Sequence, residues 1–220
     1  MRSYLLKHAN QNNENSISSK LRKKRFKFFE EYCGQFKKPL HILDLGGSDY
    51  HWRSSIFENN KDYHITLLNV ENQNLSGLKN FSYIRLDVSE LDYFGDREFE
   101  LIYSNSLIEH LPSFEEQKKL GKEIMRIGKR YFVQTPNLNF PVEPHFLFPF
   151  FQFLPEETKV KLLMKHNLGW YEKQKVKSAA QELARSINML NKKKLPEIFP
   201  DSKIRSEHFF LLTKSFIVYN

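Results

Sequence analysis

The residues best equipped for chemistry fall in three short stretches. SNSLIEHL (104–111) sets Glu109 beside His110, and TPNLNFPVEPH (135–145) adds Asn137, Glu143 and His145 in a proline-broken segment. An imidazole titrates near neutral pH, which suits a group that takes a proton from a substrate. Glu109 has a structural alternative, bracing the helix after Pro112, and His110 has another as a packed, hydrogen-bonded ring. For Glu143 and His145 a stabilising purpose is less plain, because a proline-rich loop gains little from two ionisable groups. The third stretch, HILDLGGSDYHW (41–52), ends an apolar run with Asp44 and follows it with Gly46, Gly47 and Ser48. Small residues at such a turn let main-chain N–H groups approach a ligand.

These stretches need elements that bring them together. LHILDL (40–45), HITLLNV (64–70), FSYIRL (81–86), FELIYS (99–104) and RYFVQT (130–135) read as five apolar strands. Between the last two, Ser113 and Glu116 form a capping-box pattern. Leu120, Ile124 and Ile127 then make a buried stripe that Gly128 ends. Strands alternating with helices predict a doubly wound α/β sheet, mostly parallel, with helices on both faces. Two closing strands, 204–211 and 215–219 with a turn around Thr213, bring the count to seven, the last antiparallel.

Residues 1–18 are polar and read as loose. Leu21, Phe28, Phe29, Tyr32 and Phe36 predict an amphipathic helix over 19–36 that covers the domain. The organisation expected is a tail and cover helix over 1–38 and one domain over 39–220. Residues 140–200 would form a cap on that domain, with helices at 156–166 and 171–190. FLFPFFQFLP (146–155) is a packed lid, a pocket for an aromatic or lipid-like acceptor, or a segment that touches a membrane surface.

Ligands of open α/β sheets bind beyond the carboxyl ends of the strands, where strand order reverses. A dinucleotide fingerprint starting at Gly46 would need glycine where Ser48 and His51 stand, and no Gly-Lys-Ser/Thr follows for a P-loop. ILDLGGS, LLNVE, RLDV, IYSNSLIEH and YFVQTPN occur in that order, each at a strand exit. In this the chain resembles the class I S-adenosylmethionine-dependent methyltransferases, from about Pro39 to Pro136. The resemblance implies S-adenosylmethionine as cofactor, its amino-acid end cradled by Asp44, Gly46, Gly47 and Ser48. Asn69 or Glu71 would serve the ribose, Asp87 the adenine amino group, and Asn105 the region near the reactive methyl. Family members commonly have glycine at the positions of Ser48 and Tyr50 and an acid at that of Asn69, so the loop must run wider or be covered by Tyr50 and Trp52. His145 is the expected base, oriented by Glu143 or His110, with Glu109 beside them. No metal ligand set is expected.

The net charge of +8 raises the chance of an anionic partner, although the run from Lys20 to Lys27 is ordinarily a solvated helix face. The acceptor expected is a small molecule, anionic or aromatic to lipid-like, methylated on oxygen. An RNA methyltransferase is the enzymatic rival, without a separate RNA-binding module to support it. A cofactor-binding partner subunit without catalysis is the third reading. A single cysteine, Cys33, and the lack of a signal-like or membrane-spanning apolar run suggest a cytoplasmic protein.

Overall fold

The structure is a computed structural model that describes residues 16–220 apart from Ser54. The loose stretch expected at the start lies almost wholly outside the described residues. The first helix, α1 (Ile17–Cys33), begins two residues earlier than the pattern suggested. Ser16 is the reason: its Oγ accepts the backbone N–H of Ser19 at 3.0 Å, a side-chain N-cap.

Among the described residues, seven strands form one sheet in the order β3-β2-β1-β4-β5-β9-β8. They are β1 (Leu40–Leu45), β2 (Tyr63–Leu68), β3 (Phe81–Ile84), β4 (Leu101–Asn105), β5 (Tyr131–Pro136), β8 (Lys203–Phe209) and β9 (Leu212–Tyr219). β1 to β5 pair in parallel, and β9 runs against both β5 and β8. Six strands therefore point one way and the last points back.

The period-2 pattern of each strand divides the core between the two faces. Leu43, Leu45, Ile102, Val133 and Val218 face a cluster completed by Leu120, Ile124 and Ile127 of α3 (Phe114–Ile127). Leu40, Ile42, Leu101, Tyr103, Phe132 and Ile217 face the other, where Phe29, Tyr32 and Cys33 of α1 pack with Phe57 and with Trp52 of the one-turn helix α2 (Asp49–Trp52). The cover helix is thus a full layer of the sandwich.

Residues 146–187 gather a third apolar cluster, with Phe146, Phe151, Val160, Leu163 and Ala180 at its centre, whereas Leu190, Leu195, Ile198 and Phe199 join the first cluster, so the expected cap over 140–200 gives its last residues to the sheet's own core. The cap holds a two-stranded ribbon, β6 (Val142–Glu143) with β7 (Phe148–Pro149), and the helices α4 (Glu156–Lys165) and α5 (Lys177–Arg185). The aromatic loop splits accordingly: Phe146 and Phe151 are buried, whereas Phe150 and Phe153 are more than half exposed.

Two further boundaries depart from the pattern. The helix expected over 171–190 is confined to Lys177–Arg185. On one side the backbone turns back, with Gln174 N–H on Leu163 O. On the other, Asn188 N–H is drawn onto Glu109 O at 2.6 Å and its Nδ2 onto Leu111 O. The closing strands turn at Phe210-Leu211 instead of Thr213, because Phe210 adopts a left-handed φ of 51° and Leu212 already pairs with Phe209. Among the described residues, no helix is long and apolar enough to cross a membrane.

Candidate active site

Strand order reverses between β1 and β4, and a cavity of about 170 Å³ opens there. The turn leaving β1 forms one wall. Gly46 has φ of 74°, a region that residues with a Cβ seldom adopt. A Cβ on Gly47 would stand 2.2 Å from Asp44 Oδ2, so the close approach of turn and carboxyl requires glycine. Asp44, Gly46, Gly47, Ser48 and Asn105, all expected from the sequence, line this cavity.

Trp52 does not cover the loop as the pattern suggested. It is fully buried, and its Nε1 donates to Asp44 Oδ2 at 2.7 Å. Tyr50 does line the cavity. Burial pushes the Asp44 carboxyl up to about 8, against the opposing effect of the Trp52 hydrogen bond.

The remaining expected cofactor residues stand at neighbouring strand exits. Asn69 Nδ2 donates to Gly47 O at 2.9 Å, and Asn69 Oδ1 accepts Glu71 N–H at 3.0 Å. A carboxylate could not donate to that carbonyl, which accounts for an amide where an acid is usual. Glu71 is exposed beside it. Asp87 caps a 3₁₀ turn, Val88–Tyr93, accepting Ser89 N–H at 2.9 Å and Ser89 Oγ–H at 2.6 Å. Those bonds hold its carboxyl below the usual range.

Three cavity residues were not singled out from the sequence: Arg22, His51 and Tyr103. Arg22 comes from α1, and with Arg25 it corrects the reading of the basic run as a solvated face. Lys20, Lys23, Lys24 and Lys27 are exposed, but the two arginines, three residues apart, turn inward. Arg25 grips Glu207 through Nε and Nη2, at 2.6 Å in the closest contact, and donates from Nη1 to Asn105 Oδ1 at 2.6 Å. His51 Nε2 lies 2.9 Å from Tyr103 Oη. Burial and the charges of Arg22 and Arg25 push that imidazole down to about 3, so it stays neutral. The three-residue spacing of Arg22 and Arg25 was the available signal; nothing in a lysine-rich helix marks which cations face inward.

One strand further along, Asn105 of β4 pairs with Gln134 of β5, and the exits of these strands converge on a second polar group. Glu143 is 1% exposed and accepts from the backbone N–H of His145 and of Phe146. Its Oε1 meets His145 Nδ1 at 2.7 Å. The His110 ring stands edge-on to that of His145, centroids 5.0 Å apart. Glu109 is fully buried and accepts from Thr135 Oγ1 at 3.2 Å. Burial pushes the Glu109 carboxyl up to about 7. Burial alone would lower His145, but the hydrogen bond and charge of Glu143 outweigh it and hold the imidazole above its ordinary value. The four expected catalytic residues are therefore brought together, with Glu143 as the partner of His145. Glu109 points to Thr135 and does not brace the following helix, whose N-terminus Ser113 caps through Glu116 N–H at 3.2 Å.

No family model matches the chain. A protein of Mycobacterium tuberculosis, Rv1509, is 32% identical over 77 residues, which is 35% of this chain and 25% of that protein. The chain thus aligns with about a quarter of the length of this curated relative. Solved structures match far more widely. A SAM-dependent methyltransferase of Methanosarcina mazei is 13% identical with a TM-score of 0.56, over 87% of this chain and 95% of that one. The 1,6-didemethyltoxoflavin-N1-methyltransferase of Burkholderia thailandensis, solved with S-adenosylhomocysteine, is 13% identical with a TM-score of 0.57, over 99% of this chain and 85% of that one. The architecture is the Rossmann-like fold of the class I S-adenosylmethionine-dependent methyltransferases.

Proposed function

We propose that the protein transfers a methyl group from S-adenosylmethionine to an oxygen of a small-molecule acceptor. The observation that carries this is the pairing of Asp44 and Arg22 in one cavity at the strand switch. The Arg22 guanidinium matches the carboxylate of an amino-acid end, and an ammonium set against Asp44 would favour its charged form, so the two together suit a zwitterion better than a phosphate or an apolar ligand. The glycine turn beside them is held in shape, with Gly46 N–H on Leu68 O, Gly47 N–H on Asp44 O and Asn69 Nδ2 on Gly47 O. Bound there, the cofactor supplies a sulfonium methyl already activated for displacement.

The chain's own task is then to align the acceptor and receive its proton. Glu143 fixes His145 through Nδ1, which directs Nε2 to the acceptor hydroxyl. With an acceptor hydroxyl against it, His145 Nε2 would take the proton that the oxygen loses on methylation, and Glu143 would stabilise the imidazolium. Residues 140–200, which supply Glu143 and His145, serve as the acceptor-binding cap, and half-exposed Phe150 and Phe153 favour an acceptor with an apolar part.

Calorimetric titration with S-adenosylmethionine tests the cofactor site: wild type binds, and Arg22→Ala weakens binding at least about tenfold through the lost charge-assisted contact. Failure of the wild type to bind would end this reading. For the acceptor, a panel of hydroxylated compounds is screened for a mass gain of one methylene, and His145→Ala is expected to lower turnover by about 10²–10⁴-fold.

A further inference from the structure

Glu109, His110 and His145 each offer a ligand atom, and these atoms all lie within 4.8 Å of one another. We propose that this trio binds a divalent transition-metal cation, as two imidazoles and a carboxylate from the exits of β4 and β5.

Three features carry the assignment beyond proximity. Glu109 is fully buried, yet its Oε1 has no hydrogen-bond partner while Oε2 is held by Thr135. A buried carboxylate oxygen without a donor is costly, and a cation is the partner that would satisfy it. His145 has Nδ1 on the Glu143 carboxylate at 2.7 Å, so Nε2 is the nitrogen left to bind. That is the carboxylate–histidine–metal arrangement, in which the outer carboxylate fixes the tautomer and makes the ring a better ligand. Glu143 is itself held by the backbone N–H groups of His145 and Phe146, as an outer partner should be.

The spacing also fits. Metal bonds of about 2.0–2.2 Å at tetrahedral angles place ligand atoms about 3.4 Å apart. Closing from 4.8 Å requires movements of about 1 Å, within reach of the exposed His110 ring. Two nitrogens and one oxygen favour Zn²⁺, Co²⁺ or Fe²⁺ over Mg²⁺ or Ca²⁺. Three protein ligands leave coordination positions open.

What an open position would bind rests on the methyl-transfer reading: an oxygen of the acceptor, whose proton a cation makes easier to lose. With the cation present His145 Nε2 is a ligand and the proton goes to solvent; without it, Nε2 receives the proton directly.

The test titrates the full chain with Co²⁺, following visible absorption and calorimetric heat, and measures S-adenosylmethionine binding in parallel. Wild type should bind one equivalent with a spectrum of low coordination number. Glu143→Gln should weaken binding about 10–100-fold through the outer shell, and Glu109→Gln or His110→Ala by at least as much. His110, being exposed, keeps the test usable if the Glu109 variant does not fold. Co²⁺ binding that is absent in wild type, or unchanged in both Glu143→Gln and His110→Ala, overturns the proposal. Loss of S-adenosylmethionine binding with Co²⁺ binding intact would instead remove the methyl-transfer reading and leave the metal site standing.

Discussion

Asn69 shows how one atom changes the meaning of a position. Its side chain donates into the glycine turn and accepts from the following backbone, so it holds that turn in shape. Asn69→Asp would put a second acceptor against Gly47 O and lose the donor. We expect S-adenosylmethionine affinity to fall about tenfold while the melting temperature moves only slightly, because the site is at the surface. Calorimetry beside thermal denaturation separates the two. Asp44 is the opposite case, buried and, among the described residues, held by the Trp52 side chain. Its place in the cavity was legible from the strand-Asp-Leu-Gly-Gly pattern, since few other residue orders set a carboxyl under a glycine turn. The contribution of Trp52 was not, because an indole six residues past the turn could equally face outward.

Among the elements, α1 carries more than its sequence announces. Its apolar spacing predicts a cover helix, and Phe29, Tyr32 and Cys33 are buried accordingly. Its cations tell a second story. Arg25 and Glu207 have side chains only 10% exposed each, and Ser215 Oγ donates to Glu207 Oε2 at 2.6 Å. Removing one partner leaves a charge without its counterpart in a low-dielectric setting, so Arg25→Ala should cost about 3–5 kcal/mol, read as a lowered midpoint in urea. Glu207→Gln should cost less, since an amide still accepts from the guanidinium, and a midpoint unchanged in both variants would show the pair to be ornamental. Neither partner could be matched from sequence, because the two residues stand 182 positions apart and any of several acids could have met Arg25. The Glu143–His145 pair was easier to foresee, lying two residues apart in a loop with little else to justify ionisable groups.

Across the molecule as a whole, the buried Asp44 carboxyl ties folding to pH. Its native value of about 8 lies above the ordinary 3.8, so between those limits the native state holds a proton that the unfolded chain has released. Stability therefore falls as pH rises from about 4 to about 8, by an amount of the order of a few kcal/mol for this group. Asp44→Asn should flatten that part of the profile, and subtracting the two denaturation curves isolates the effect from other groups. Parallel curves for wild type and variant would contradict it. The doubly wound, mostly parallel character of the sheet followed from alternation of apolar runs and helices, which leaves few topologies open. The tip at Phe210-Leu211 did not, since no glycine, proline or asparagine marks it and both side chains stand in solvent. Arg22, from the first helix, shares its cavity with Asp44, and Arg25 one turn on is moored to residue 207. During synthesis, then, the helix that carries Arg22 gains this anchor only once residue 207 has left the ribosome, so competence to hold an amino-acid ligand would arrive with the strand of Glu207 and not with the first strands.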